Sequence, residues 1–204
     1  MDVDGVPGTA DPSFRPNQVF AVGGLPIALL DVRRGRRMID EVERRLWTPL
    51  GLRSLDPQDP RYRGHYAGGV VERDSAYHQG TVWPWLVGAF VEAWTRTHGD
   101  DFAALAEARV RFLSGLEAHL GAAGLGHVSE IADGDAPHDP AGCPFQAWSV
   151  SELLRAEILL HREQEHGASA SAGVDGGPSA LASAARASIT SRSTTAVAAV
   201  AVSV

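Results

Sequence analysis

Ala76-Tyr77-His78-Gln79-Gly80-Thr81-Val82-Trp83-Pro84-Trp85 is the stretch from which the rest of the chain can be read. It ends at a helix start: Pro84 sits where a first helical turn tolerates proline, and Trp85 to Trp94 carries apolar residues on every side. A helix that is apolar all round is a buried one. Just ahead of it stand Tyr77, His78, Gln79 and Trp83, a set that suits a pyranose ring, whose flat face stacks on aromatics and whose hydroxyls need paired donors and acceptors. Each ring taken singly reads equally well as core. The polar His78 and Gln79 immediately before a buried helix are harder to explain as packing.

Outward from this stretch the same arrangement recurs. Phe14 to Val22 places Pro16 at a second helix start beside Arg15, Asn17 and Gln18, and Gly23, Gly24 and Pro26 interrupt that helix, which either stays short or restarts over 27–30. Downstream, Pro144 or Phe145 opens a third helix through Gln146 and Trp148 to about His161. Between these lie amphipathic helices. One runs from Asp31 to Trp47 with Met38, Ile39, Val42 and Leu46 at three-to-four spacing; the other starts from an Asp100-Asp101 cap and reaches about Leu120, with Leu105, Phe112 and Leu116 on one side. Gly99 closes the helix before that cap. Two long polar loops, 52–74 and 127–143, precede the second and third apolar helices, and a loop of that length is functional or disordered. The expected fold class is therefore all-α, with inner and outer helices alternating and the loops before the inner helices gathered at one end. Residues 1–13 read as linker, 14–163 as the folded unit and 164–204, rich in Ala, Ser, Gly and Thr, as a disordered tail.

Composition excludes several partner classes. The formal charge of -7 argues against a nucleic-acid or anionic-membrane surface, and Arg33, Arg34, Arg36 and Arg37 are offset by Asp40, Glu41 and Glu43. All 18 Lys and Arg positions are Arg, which carries no chemistry by itself. Cys143 is the single cysteine, so no internal disulfide or cysteine-based zinc site is available, and Pro144 and Phe145 beside it offer nothing to activate a thiol. Without a signal peptide or an apolar run near transmembrane length, a cytoplasmic location is expected.

The carboxylate that stands out is Glu130, in Gly126-His127-Val128-Ser129-Glu130-Ile131-Ala132-Asp133-Gly134-Asp135, a loop feeding the third apolar helix. Glycoside hydrolysis needs two carboxyl groups, one to protonate the leaving oxygen and one to act as base or nucleophile. Glu130 also reads as a plain surface or helix-capping acid. Asp133, Asp135, His138 and Asp139 match no calcium-loop spacing, and His127 with His138 is no zinc signature, so neither metal nor cofactor is expected.

Together, Arg15-Pro16-Asn17-Gln18, the block 77–85, Ser129-Glu130-Ile131 with Asp133-Gly134, and Gln146-Ala147-Trp148-Ser149 resemble the C-terminal glucosidase domain of glycogen debranching enzymes, the amylo-α-1,6-glucosidases. The resemblance extends to Thr48-Pro49-Leu50-Gly51-Leu52-Arg53 and Asp59-Pro60-Arg61-Tyr62-Arg63-Gly64, and it runs in order from about Phe14 to about Leu159. It implies an (α/α)6 toroid, here partial, and inverting hydrolysis of the α-1,6-linked glucose at a glycogen branch point. Glu130 would be the general base. Arg15, Asn17, Gln18, Tyr77, His78, Gln79, Trp83, Trp85, Asp133, Gln146 and Trp148 would bind the branched α-glucan, some of them as supports behind the sugar. The family's general acid, an aspartate in a Trp-Met-Asp-Ala-type stretch, would lie upstream of this sequence, so the missing upstream half of the toroid is an expected partner. Two other readings stay open: a non-catalytic, glucan-binding or toroid-completing piece, and a related hydrolase acting on trehalose or α-1,4 ends.

Overall fold

The computed structural model describes residues 6–99, 102–123 and 125–174. Its centre is α3 (Val87–His98), entered through a single 3-10 turn, Pro84–Leu86, that begins at the proline which the sequence places there. Val87, Ala89, Phe90, Val91, Ala93 and Trp94 are all buried, so every side of the helix has a neighbour. Those neighbours are α1 (Val32–Leu46), α4 (Phe102–Ala122) and α5 (Ala147–Val174). Asp31 caps α1 by accepting the Arg34 backbone N–H at 3.0 Å, and Ile39, Val42 and Leu46 turn inward at helical spacing. Leu105, Phe112 and Leu116 do the same for α4. An aromatic cluster joins the layers: Trp47 stacks on Phe90 at 5.0 Å, Phe112 meets Phe90 edge-on at 5.3 Å, and Trp94 lies flat on His98 at 4.6 Å.

The all-α expectation fails. A five-stranded antiparallel sheet runs beside the helices in the order β1 (Trp47–Thr48), β2 (Gly51–Arg53), β3 (Val82–Trp83), β4 (Ile131–Ala132) and β5 (Pro140–Ala141). Its register pairs Trp47 with Leu52, Leu52 with Trp83, Val82 with Ala132 and Ile131 with Ala141. Strands of two or three residues show no alternation that a periodicity argument can detect, which is why their segments read as helix ends and loops. A mixed helix-and-sheet architecture therefore replaces the partial (α/α)6 toroid with alternating inner and outer helices.

Other elements also depart from the sequence reading. Pro16–Ala21 is a 3-10 helix, and 27–30 forms no helix. The supposed loop 52–74 contains β2 and the start of α2 (Val70–Ala76), and 127–143 contains β4 and β5. On α5 the burial is one-sided: Leu153, Ala156 and Leu160 face inward, while Trp148, Leu154 and Ile158 stay 50%, 47% and 44% exposed. That helix continues through Val174, past the expected start of the disordered tail; residues 175–204 and the Asp100-Asp101 cap lie outside the described residues.

The sheet is what positions the site. Tyr77 to Trp83 leads into β3, Glu130 stands just before β4, and Ser54 just after β2 contacts the first of these through Ser54 N–H to Thr81 O at 2.8 Å and Gly80 N–H to Ser54 Oγ at 2.9 Å. Gly80, at φ +151°, is required at that crossing, since a Cβ there would strike the Arg63 carbonyl.

Candidate active site

A cleft of about 530 Å³ opens where these segments converge, within the roughly 300–1,000 Å³ usual for small-ligand sites. Arg15, Asn17, Tyr77, His78, Trp83, Trp85, Glu130 and Trp148 line it, all of them positions singled out in the sequence. Aromatic faces form much of the wall. Trp85 stacks on Trp148 at 5.7 Å and 30° and on Phe20 at 5.9 Å, and His78 lies parallel to Trp83 at 5.1 Å and 6°. The Trp83 indole N–H is committed inward, to the Tyr77 carbonyl at 3.2 Å and to Thr81 Oγ1 at 3.1 Å. With its polar tip fixed, the ring is held as an apolar surface beside the cleft.

Glu130 is the only carboxylate among the described residues lining this cleft. Three donors hold it: the Tyr77 hydroxyl at 2.7 Å and the Gln146 amide at 3.3 Å on Oε1, and the Cys143 backbone N–H at 3.0 Å on Oε2. Its own N–H donates to the Cys143 carbonyl at 2.8 Å, so 130 and 143 are paired by both backbone and side chain. Burial, then the hydrogen bond to Glu130 and its charge, raise the Tyr77 hydroxyl above the usual phenol range, so it remains a donor at neutral pH.

Not every predicted binding residue reaches the cleft. Gln79 Oε1 accepts from Arg15 Nη2 at 2.9 Å, and the other terminal nitrogen of Arg15 donates to the carbonyls of His78 at 2.7 Å and Ser54 at 3.1 Å. Gln18 Nε2 closes on the Arg15 carbonyl at 2.8 Å. Arg15 thus both lines the cleft and pins 77–79 in place, while Gln18 and Gln79 support it from behind. Asp133 is a latch: it accepts the Tyr66 N–H at 2.8 Å and pairs with His65 Nδ1 at 2.8 Å, while Tyr62 donates to the neighbouring Asp135 at 2.9 Å. That partner and the Asp133 charge raise the His65 pKa, and burial pushes the Tyr62 hydroxyl up to about 12, with the Asp135 hydrogen bond adding to it. The latch ties 62–66 to the hairpin that carries Glu130.

The sequence reading missed two contributors. Ser54 lines the cleft and bridges three segments, but an isolated serine ahead of a loop-like proline run carries no signal. Cys143 acts through its backbone N–H, so considering its thiol could not reveal it. Among the described residues, no group of three or more His, Cys, Asp or Glu side chains is arranged to hold a metal ion. Nor is any helix among them long and apolar enough to cross a membrane.

The sequence profile of a family described as amylo-alpha-1,6-glucosidase matches residues 1–155. Over 94 residues the chain is 35% identical to the glycogen debranching enzyme of Saccharomyces cerevisiae, an alignment covering 43% of this chain and 6% of that protein. The chain therefore aligns with only a small part of the length of that relative.

Proposed function

The chain belongs to the amylo-alpha-1,6-glucosidase family, and from that premise we propose that residues 14–163 form part of a glucosidase domain whose cleft takes a glucosyl unit of a branched α-glucan. The reaction is hydrolysis of an α-1,6-linked glucose at a glycogen branch point. Water attacks the anomeric carbon, Glu130 takes its proton as general base, and the bond to the O6 oxygen of the branch point breaks with inversion. Stacking on Trp85 and Trp148 and hydrogen bonds from Arg15, Asn17 and His78 hold the ring.

The observation that carries this reading is a single carboxylate, Glu130, in the wall of an aromatic cleft and oriented by three donors. The same observation favours a second reading. Hydrolysis needs a second carboxyl to protonate the leaving oxygen, and no other acid among the described residues lines the cleft. The acid then comes from outside these residues, and the described portion by itself binds glucan without cleaving it. Losing general acid catalysis costs on the order of a hundredfold to ten-thousandfold.

Calorimetric titration with a maltosaccharide bearing one α-1,6-glucosyl branch, alongside an assay for released glucose, separates the two. Saturable binding without measurable release is expected for the 204-residue chain, with affinity reduced in Trp148→Ala. Release that disappears in Glu130→Gln would mean a complete site and would sink the claim of an external acid. A folded chain with no saturable binding would sink the glucosidase reading itself.

A further inference from the structure

The two oxygens of Glu130 are not equivalent. Oε1 accepts from both Tyr77 and Gln146, which occupies its two lone pairs, whereas among the described residues Oε2 accepts only the Cys143 backbone N–H, which leaves it a second lone pair. Tyr77 delivers the shortest of these hydrogen bonds, and its ring is fixed on several sides: edge-on to Trp83 at 4.9 Å, edge-on to His78 at 4.8 Å and tilted against Tyr66 at 5.8 Å. A hydroxyl so committed has its proton spent on the carboxylate. Resting on the glucosidase reading, we propose that Tyr77 is a positioning residue for the general base and not a sugar contact: with Gln146 it anchors Oε1 and leaves Oε2 as the atom that takes the proton of the attacking water.

This assigns a division of labour within one short segment. His78, next in sequence, is exposed and presents its ring beside Trp83 to the cleft, while Tyr77 turns its hydroxyl to Glu130. The carboxylate plane is thereby set by side chains from the segment before β3 and from the residue preceding α5, with the Cys143 N–H fixing the third contact. A charge-assisted hydrogen bond from a hydroxyl is among the stronger neutral-donor contacts available to a carboxylate. Rotation of the Glu130 carboxyl is consequently blocked before any substrate arrives, which is the preorganisation a positioned base requires.

The test uses the full chain labelled with carbon-13 at its glutamate side-chain carboxyls, the Glu130 resonance being the one lost in Glu130→Gln. Tyr77→Phe removes only the hydroxyl. The expected result is a displaced Glu130 resonance at neutral pH with glucose affinity unchanged within about twofold, since about 1.4 kcal/mol would be needed for a tenfold change. An unmoved resonance overturns the proposal, as does a tenfold loss of glucose affinity, which would make Tyr77 a sugar contact. Should Tyr77→Phe not fold, the converse measurement decides. The chain has 3 tyrosines, and with their ring Cζ atoms labelled, Glu130→Gln should displace the Tyr77 signal and leave those of Tyr62 and Tyr66 in place; an unmoved Tyr77 signal overturns the proposal. A folded, unmodified chain that binds no glucose overturns the glucosidase reading and with it Tyr77's role in the reaction, whereas an unmoved resonance in a chain that does bind glucose overturns the positioning role alone.

Discussion

Two aromatic clusters of similar composition, one reaching β1 at Trp47 and the other β3 at Trp83, do different things. In the core, Trp47, Phe90, Trp94 and Phe112 close on one another at 5.0–5.3 Å, and Phe90 and Phe112 are wholly buried. In the cleft, Tyr77, His78, Trp83, Trp85 and Trp148 pack at similar spacings, 4.8–5.7 Å, yet Trp148 keeps half its surface in solvent. Ring density therefore does not distinguish a core from a binding surface. The polar tips do: Tyr77 and Trp83 hold their positions through hydrogen bonds to Glu130, Thr81 and a backbone carbonyl, so the cleft keeps its shape without being filled. Among the described residues the core rings show no such hydrogen bonds; packing against one another and the surrounding core holds them, with Trp94 lying on His98 and the Arg111 guanidinium over Phe112.

The contrast breaks most visibly in the core. Phe90→Ala should cost about 3–5 kcal/mol, because the ring's transfer free energy and the cavity it leaves both count. Against a total stability of roughly 5–15 kcal/mol that is a large fraction, to be read as a lowered midpoint in denaturant unfolding. A cost below about 1 kcal/mol would mean the cluster is not the packing centre. A smaller effect is expected beside the cleft. Gly142 has φ +70°, and a Cβ there would meet Glu130 Cβ at 3.0 Å and Ile131 Cγ1 at 3.1 Å as well as the Glu130 carboxylate. Gly142→Ala should therefore cost about 1–2 kcal/mol for the left-handed backbone alone. It should also displace the Glu130 carboxyl, visible as a moved carbon-13 resonance; an unmoved one would show that the turn does not hold the base.

The difference between the clusters also explains what could be read from the sequence. Pro84 with ten apolar-rich residues after it announced α3, and Ile39, Val42 and Leu46 announced the inward face of α1, because helical periodicity survives over many residues. The sheet did not announce itself. Arg53, Val82 and Ala132 pair across three separated segments, and such long-range partners leave no mark in any one of them. Within the site, residue types identified eight members that the fold brings to the cleft, Trp148 and Glu130 among them. Their roles were less legible: Gln79 and Gln18 serve Arg15, and Asp133 holds His65 and Tyr66, because a side chain's partner depends on which segments the sheet aligns.

The smallest effect, and the one that compares the latch with the core, is the response to pH. His65 gains Asp133 as hydrogen-bond partner, with Asp135 and Asp139 also facing it, so its pKa rises on folding from the ordinary imidazole value of 6.5. Its contribution is fully present below 6.5 and is lost as pH climbs through the raised folded value. His119 behaves oppositely. It is buried against the core, its Nε2 accepts the Ser129 N–H at 3.2 Å, and burial lowers its pKa from 6.5. The neutral ring is the folded form, so stability falls as pH drops below 6.5 and the unfolded chain takes the proton more readily. Between roughly pH 5 and 8 the two slopes oppose each other in the unmodified chain. His65→Gln should leave a stability that rises with pH, and His119→Gln, which retains an acceptor for Ser129, one that falls. Thermal midpoints of both variants across that range make the check. A flat profile in His119→Gln would mean that the exposed latch contributes nothing, since surface pairs of its kind are worth little unless a network holds them; a divergence of opposite sign would show that the hairpin carrying Glu130 is tied down by charge where the core is held by packing.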